Sequence, residues 1–337
     1  MTTYRPPYSI TPNIINRVVE IGELLGRRSS QSKNASPLLR KENRIRTIQA
    51  SVAIEHNSLS TEQVTAIMEG KRVLAPAKDI QEVRNAILAY EKIPEWQSHQ
   101  LADLLAAHHL LMGGLVDRPG KLRYSDVGIY RENQLIHMAP PASQVSRLIG
   151  DLLIWLKQTD IHPLISSAIF HYEFEFIHPF SDGNGRMGRL WQTLILSEWR
   201  PELAWLPVET LIHHQQQEYY QILRICDKAG DCTLFIDFML EKLMEALQEE
   251  MDTQQMNAPM SVEMSVQMSV ENRLALNETS QKILSLITEQ PTITISQLAD
   301  ILRVSRRTIE RNIKVLQENG RLIRIGAKKA GYWQVKQ

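Results

Sequence analysis

The 337-residue sequence is poor in cysteine and has no long apolar run. Its two cysteines, Cys226 and Cys232, are too few for a disulfide framework, and their spacing matches no metal-binding motif. The first residues lack the apolar core of a signal peptide, and no apolar stretch reaches the length of a membrane-spanning helix. These absences argue against a disulfide-rich secreted domain and a membrane protein, and they predict a cytoplasmic location with both thiols reduced.

Net charge is also absent, because 38 Lys and Arg balance 38 Asp and Glu. The balance hides an asymmetry: residues 277–337 contain eleven basic and five acidic side chains, a balance of +6, so the rest of the chain carries −6. With 43% hydrophobic residues, the chain can bury a sizeable core, and its length predicts about two domains.

A glycine-rich turn between two apolar segments carries the clearest chemical pattern. It begins at His178 and contains Gly183-Asn184-Gly185, followed by Arg186 and Arg189. Apolar residues at helical spacing on both sides predict a helix, a turn and a second helix. Backbone N–H groups in such a turn attract anions, and the two guanidinium groups lie on one helix face. The residues therefore predict a polyphosphate site.

Two further side chains give this site a chemistry. Asp182, at the mouth of the turn, is a carboxylate of the kind that holds Mg²⁺ against phosphates. His178 is the group in this stretch that can exchange a proton near neutral pH. The turn lacks the Gly-Lys-Ser/Thr ending of a P-loop. The alternative, a glycine-capped helix with two solvated arginines, requires eight residue types to coincide by chance.

The stretch from His178 to Arg189, HPFSDGNGRMGR, resembles the signature of the Fic (filamentation-induced-by-cAMP) family, H-x-F-x-D/E-G-N-G-R-x-x-R. Most characterised members are adenylyltransferases that move AMP from ATP to a hydroxyl side chain of a target protein. The resemblance implies that His178 is the general base and that Asp182 is the Mg²⁺ ligand. It implies that the ATP phosphates are bound by Gly183, Asn184, Gly185, Arg186 and Arg189.

A second motif lies upstream, in a predicted helix at about residues 44–57. Ser51 and Glu55 resemble the family's inhibitory motif S/T-x-x-x-E-G/N, whose glutamate pairs with the second arginine of the signature, here Arg189. His56 departs from the glycine or asparagine of that motif. Spacing alone also fits a solvated carboxylate at a helix end. The resemblance implies that Glu55 takes the place of the γ-phosphate and inhibits the enzyme.

Two apolar segments around a short polar turn predict a β-hairpin at about residues 127–137. In the Fic family this hairpin is the flap, which binds the backbone of the target protein by strand addition. A plain surface hairpin is the alternative.

A predicted helix behind the signature carries Tyr220, Leu223 and Asp227 at helical spacing. Related Fic domains form their adenine pocket from the corresponding positions, with asparagine where this chain has Asp227. A carboxylate accepts from the adenine amino group but does not donate to a ring nitrogen as an amide does. Tyrosines on one helix also fit ordinary core packing.

Residues 252–276 contain a degenerate Ser-Val-x-Met repeat, which predicts a linker. Residues 277–337 then show three helical patterns and two short strands around a turn rich in lysine and glycine. This order, with a basic third helix, resembles a winged helix-turn-helix domain, which would bind DNA through residues 305–335. Winged helices also serve as protein-interaction or dimerisation modules.

Together the patterns predict a mostly α protein, with an all-α Fic core, a β-hairpin flap and a small C-terminal winged-helix domain. An N-terminal helical region is expected at 1–112 and the catalytic core at 113–251. The predicted function is an autoinhibited protein adenylyltransferase that uses ATP and Mg²⁺, acts on a Ser, Thr or Tyr hydroxyl and, by family resemblance, forms a homodimer. The alternative is a DNA-binding regulator whose Fic domain senses nucleotide or modifies only its own chain.

Overall fold

The computed structural model describes residues 4–31, 37–131, 134–257, 278–302, 306–318, 321–325 and 332–335. The chain divides into two compact units, Met1–Met256 and Asn257–Gln337. Among the described residues, none of the helices combines the length and the apolar character needed to cross a membrane.

Helices make up nearly all of the first unit, which confirms the predicted mostly α fold. An antiparallel hairpin, β1 Gly128–Arg131 and β2 Gln134–Met138, lies between the fifth and sixth helices. In chain order the helices are α1 Pro12–Gln31, α2 Pro37–Ala53, α3 Thr61–Met68, α4 Ala77–Lys92, α5 Leu101–Met112, α6 Ala142–Gln158, α7 Pro163–Ile177, α8 Asn184–Trp199, α9 Val208–His214, α10 Gln216–Ala229 and α11 Thr233–Asn257.

The core of this unit surrounds α7, which is buried along almost its whole length. Phe170 and Phe174 have no exposed surface, and the polar Ser167 and His171 of the same helix are buried as well. The next helix, α8, approaches α7 closely at Gly188, where a Cβ atom would meet His171 Cδ2 at 2.8 Å. The turn between α7 and α8, which carries the signature, is therefore anchored at both ends by buried helices.

The hydrophobic core runs across the boundary predicted at residue 112. Ile21 of α1 and Ile48 of α2 belong to the same buried cluster as Phe170 and Leu190. At the other end, α11 continues to Asn257, past the predicted end of the catalytic core at 251. Most of the predicted linker lies outside the described residues, and the predicted domain limits stay predictions.

The second unit contains α12 Glu278–Glu289, α13 Ile295–Leu302, α14 Arg306–Glu318 and an antiparallel hairpin, β3 Leu322–Ile325 with β4 Tyr332–Val335. Trp333 joins the hairpin to the helices, because its indole Nε1 donates to Ile293 O at 3.2 Å. Three helices followed by a two-stranded wing confirm the predicted winged-helix fold. Ser305 and the loop between the two strands lie outside the described residues. A separate core is formed by Ile283, Ile287, Ile293, Leu298, Ile309, Ile313, Leu316, Leu322 and Trp333.

Candidate active site

The signature turn ends in the N-terminus of α8. Gly183 has φ 82°, in the left-handed region that glycine adopts without strain, and a Cβ there would lie 2.6 Å from Met112 Sδ. The first bond into the helix runs from Met187 N–H to Gly183 O at 3.0 Å. The backbone N–H groups before Met187 therefore lack acceptors within the helix, as at the start of any α-helix. Together with the positive end of the helix dipole, such N–H groups attract anions.

Asn184 holds the shape of this turn with its side chain. Its Oδ1 accepts from Phe180 N–H at 2.9 Å, and its Nδ2 donates to Phe180 O at 2.9 Å. Sequence reasoning gave Asn184 a place in the phosphate site. The side-chain amide fixes the turn in which Phe180 is completely buried. The backbone N–H of Asn184 lies at the start of α8, and its role in phosphate binding stays a prediction.

His178 is positioned by an arginine that sequence reasoning missed. The histidine follows α7 directly and takes φ 49° and ψ 61°, a left-handed conformation that is uncommon for a residue with a side chain. Arg123, which is buried, donates from Nε to His178 O at 2.7 Å and from Nη2 to Ile177 O at 3.3 Å. The guanidinium thereby satisfies carbonyl groups at the end of α7. In the sequence, Arg123 ends the string Gly-Lys-Leu-Arg that precedes the predicted hairpin.

His108 supports the other end of the turn and was also missed as a site residue. Its ring stacks on Phe180 with centroids 3.6 Å apart. Gly120 N–H donates to its Nδ1 at 2.8 Å, so the ring proton lies on Nε2, which donates to Asp182 O at 3.0 Å. Burial lowers the pKa of His108 to about 4, so the ring is neutral at pH 7.

Arg189 pairs with Glu55, across 134 residues of sequence. Its Nη2 donates to Glu55 Oε1 at 2.8 Å and to Ser51 O at 3.0 Å. A Cβ at Gly185 would lie 2.4 Å from Glu55 Oε1, so the carboxylate occupies space that exists because residue 185 is glycine. Burial by itself raises the pKa of Glu55, but the charge and hydrogen bond of Arg189 outweigh it and the pKa is lowered.

The predicted limits, about 44–57, placed Glu55 inside a helix, but in the structure Glu55 lies just beyond the end of that helix. The helix α2 ends at Ala53, and a Schellman turn follows. His56 N–H donates to Ala53 O at 2.9 Å, and Asn57 N–H donates to Val52 O at 3.2 Å. In this turn His56 takes φ 68°, the position where glycine or asparagine is usual. The turn places Glu55 at the helix end, facing α8.

Arg186 contacts two carboxylates. Its Nη2 lies 3.3 Å from Asp182 Oδ1, and its Nη1 lies 3.3 Å from Oε1 of Glu82 in α4, which sequence reasoning missed. The Nε atoms of Arg186 and Arg189 are buried and have no hydrogen-bond acceptor among the residues that the structure describes. Buried guanidinium nitrogens without acceptors are costly, and an anion would satisfy them.

Asp182 is the exposed carboxylate of the site, with 57% of its side chain accessible. Its Oδ1 also accepts from the backbone N–H of Gly183 at 2.6 Å. Within the described residues, no cluster of three or more His, Cys, Asp or Glu side chains is arranged to hold a metal ion. An exposed single carboxylate fits the way proteins hold Mg²⁺, with one or two carboxylates beside substrate phosphates and water.

The three residues predicted for the adenine pocket lie along α10. Burial raises the pKa of the Tyr220 hydroxyl, and the charge of Glu55 raises it further. Asp227 accepts from the Tyr172 hydroxyl at 3.0 Å through Oδ1. Gln216, at the start of the helix, donates to Ile54 O at 2.6 Å and ties α10 to the turn that carries Glu55.

The predicted hairpin is present. Gly128 pairs with Met138 and Arg131 with Gln134, so two residues connect the strands, and both lie outside the described residues. Ala139 N–H donates to Val127 O at 3.3 Å and extends the pairing by one bond. Binding of a target protein to this hairpin stays a prediction.

Curated relatives of the chain carry a functional name. "Protein adenylyltransferase Fic" of Drosophila erecta is 28% identical over 225 residues, which cover 63% of this chain and 42% of the relative. "Protein adenylyltransferase fic-1" of Caenorhabditis briggsae is 30% identical over 203 residues, which cover 56% and 38%. The chain thus spans about two-fifths of the length of these relatives.

Family and structure comparisons identify the family of the chain. The Fic/DOC family model matches residues 98–196, and an HTH domain model matches residues 279–333. Fic-1 (residues 134–508) from C. elegans, at 21% identity and a TM-score of 0.59 over 72% of this chain and 74% of that chain, shares the fold. A Fic family protein from Desulfovibrio desulfuricans G20 is 46% identical, with a TM-score of 0.71 and coverage of 99% of this chain and 98% of that one. The chain therefore belongs to the Fic family and has a winged-helix domain at its C-terminal end.

Proposed function

We propose that this protein is an adenylyltransferase that moves AMP from ATP to a Ser, Thr or Tyr hydroxyl of a target protein. The observation that carries the proposal is the anion site at the start of α8. There the buried Arg186 and Arg189 present Nε atoms that have no acceptor among the residues the structure describes, and the glycine turn lies between them and His178 in the sequence. The names of the curated relatives support the same reaction.

In the proposed reaction, His178 accepts the proton of the target hydroxyl while the hydroxyl oxygen attacks the α-phosphorus of ATP. The bond between the α-phosphorus and the oxygen bridging to the β-phosphate breaks, and pyrophosphate leaves. The N–H groups at the start of α8 and the Arg186 guanidinium would stabilise charge on the phosphates. Asp182 would hold Mg²⁺, which neutralises charge on the leaving pyrophosphate when it is bound.

Inhibition by Glu55 is part of the proposal. The Glu55 carboxylate bonds Arg189, and its Oε1 lies 2.4 Å from the position of a Cβ at residue 185, so it would take both the guanidinium and the space that the γ-phosphate needs. ATP that binds beside Glu55 would have its α-phosphate out of line with the hydroxyl, and such misplacement is costly in rate.

Labelling with α-³²P-ATP and Mg²⁺ tests both parts. We expect Glu55→Gly to raise protein labelling at least tenfold, and His178→Ala in the same background to abolish it. Glu69→Gly is the matched control, because Glu69 is an exposed glutamate at the end of α3, again one residue before a left-handed position. If Glu55→Gly labels proteins no better than the unchanged chain, autoinhibition by Glu55 is wrong; if it binds no ATP, the proposed reaction is wrong.

A DNA-binding regulator is the second candidate, favoured by the winged-helix fold and by the charge of +6 over residues 277–337. Fluorescence anisotropy with duplex DNA at increasing salt tests it, since phosphate contacts make binding strongly salt-dependent. Label found only on the protein itself would favour this candidate. The homodimer, the cytoplasmic location and target binding by the flap stay predictions.

A further inference from the structure

A second buried carboxylate faces the signature from α4. Glu82 exposes only 6% of its surface. Its Oε1 lies 3.3 Å from Arg186 Nη1, and its Oε2 accepts from Asn57 Nδ2 at 2.8 Å. Lys78 Nζ is more distant, at 3.9 Å, and its side chain is mostly exposed. The charge of Glu82 is therefore directed mainly at Arg186.

Arg186 needs such a partner when no anion is bound. Its side chain is 6% exposed, and a buried guanidinium without a counter-charge is strongly destabilising. Its other carboxylate partner, Asp182, is exposed to water, which weakens that contact. A phosphate group would bring its own negative charge to Arg186, where the negative charge of the Glu82 carboxylate would repel it.

The same carboxylate is fixed to the segment that carries Glu55. Asn57, two residues after Glu55, donates from Nδ2 to Glu82 and also to Asp79 O at 3.1 Å. Its Oδ1 accepts from Leu59 N–H at 3.1 Å, which completes the anchoring of the turn. Glu82 thus pairs with Arg186 and Glu55 with Arg189. Asn57 links Glu82 to the turn that carries Glu55.

We propose that Glu82 sets the affinity for the nucleotide by competing with its phosphates for Arg186, as Glu55 does for Arg189. This inference rests on the proposed function, since it takes the anion to be the polyphosphate of ATP. Removal of Glu55 takes away the carboxylate partner of Arg189, but Arg186 keeps its own carboxylate. A chain that lacks both carboxylates should therefore bind polyphosphate more tightly than a chain that lacks only Glu55.

Titration calorimetry with Mg·ATP and with tripolyphosphate tests the inference in the Glu55→Gly chain. Adding Glu82→Gln should lower the dissociation constant for both probes about tenfold, which corresponds to about 1.4 kcal/mol. The unfolding temperature without ligand should fall, because Arg186 loses its counter-charge. A merely structural role for Glu82 would lower the unfolding temperature without tightening the binding.

Glu91→Gln is the matched control, since Glu91 lies on the same helix and pairs with Arg44 at the surface. Its dissociation constants should stay within twofold of the parent. Unchanged or weaker binding in Glu82→Gln overturns the competition. If Glu82→Gln folds poorly, Glu82→Asp moves the carboxylate away from Arg186 by one methylene. Its dissociation constant should lie between those of the parent and Glu82→Gln. A dissociation constant equal to that of the parent again overturns the competition.

The two proposals can fail separately. A Glu55→Gly chain that binds Mg·ATP but transfers no AMP overturns the proposed function, while the effect of Glu82→Gln on the dissociation constants still decides the role of Glu82. A chain that transfers AMP but binds no better without Glu82 overturns only the competition. Absence of binding to both probes in every variant overturns both.

Discussion

At the scale of single residues, the signature depends on side chains that lie far from it in sequence. His108 bonds the backbone of Asp182, and Arg123 bonds the backbone of His178, so each end of the turn has its own support. Asn184 closes the turn from within. None of these three contacts uses the backbone N–H groups at the start of α8.

The neutral His108 makes stability depend on pH. Its pKa is about 4 in the folded chain and about 6.5 when unfolded, so between these values the unfolded chain binds the extra proton. The contribution of the neutral His108 to stability is then present above pH 6.5 and is lost as the pH falls towards 4. From pH 7 to pH 5 the free energy of unfolding should drop by on the order of 2 kcal/mol from this group.

Urea unfolding of His108→Gln at pH 7 and pH 5 measures this contribution. The variant should be less stable at pH 7, because Gly120 N–H loses its acceptor, but it should lose less stability between the two pH values. His109→Gln is the control, since His109 is exposed and adjacent. An unchanged pH dependence in His108→Gln would contradict the assignment.

At the scale of elements, the end of α2 decides where the Glu55 carboxylate points. The Schellman turn closes over Glu55 through the bonds of His56 and Asn57. A left-handed residue is required directly after Glu55, and this chain uses histidine there. A left-handed conformation costs a residue with a Cβ roughly 1–2 kcal/mol. Glycine avoids this cost, but it loses more conformational entropy on folding, which offsets part of the gain.

Replacement of His56 by glycine should therefore stabilise the inhibited conformation. We expect the free energy of unfolding of His56→Gly to rise by about 0.5–1 kcal/mol and its basal AMP labelling to fall. In the Glu55→Gly background the labelling should not change, because the carboxylate is gone. His56→Ala keeps the strain and serves as control; an equal gain in stability from alanine would show that the side chain of histidine, and not its φ angle, carries the cost.

At the scale of the whole molecule, the described residues form two hydrophobic cores. The first extends from α1 to α11, and the second comprises the three helices and the wing of the second unit. Every described residue of the proposed active site lies in the first unit, including the Glu55 turn and α10. Folding of the catalytic unit should thus not require the winged helix.

A chain truncated after Asn257 tests this independence. It should unfold cooperatively, and its Glu55→Gly form should label target proteins at a rate within about threefold of the full-length Glu55→Gly chain, because the core and the site are complete. Scanning calorimetry and α-³²P labelling give the two readouts. A truncated chain that aggregates or loses labelling would show that the second unit contributes to the first.

Much of the architecture was accessible from the sequence. Apolar periodicity marks the helices that flank the signature, and the Fic resemblance together with the mostly α fold is confirmed. The winged helix could be recognised because its helices and strands follow one another along the chain. The end of α2 was predicted too far along the chain, because the helix is closed by left-handed backbone at His56. A histidine, unlike a glycine, does not indicate such a position in a sequence.

The sequence by itself determined the chemical groups that meet at the turn from His178 to Arg189, because they lie within twelve consecutive positions and a helix fixes their spacing. Tertiary structure alone decided which carboxylates face the two arginines and which side chains hold the turn. Glu82, His108 and Arg123 come from distant segments, and contacts between distant segments depend on packing that leaves no periodic or local trace in the sequence.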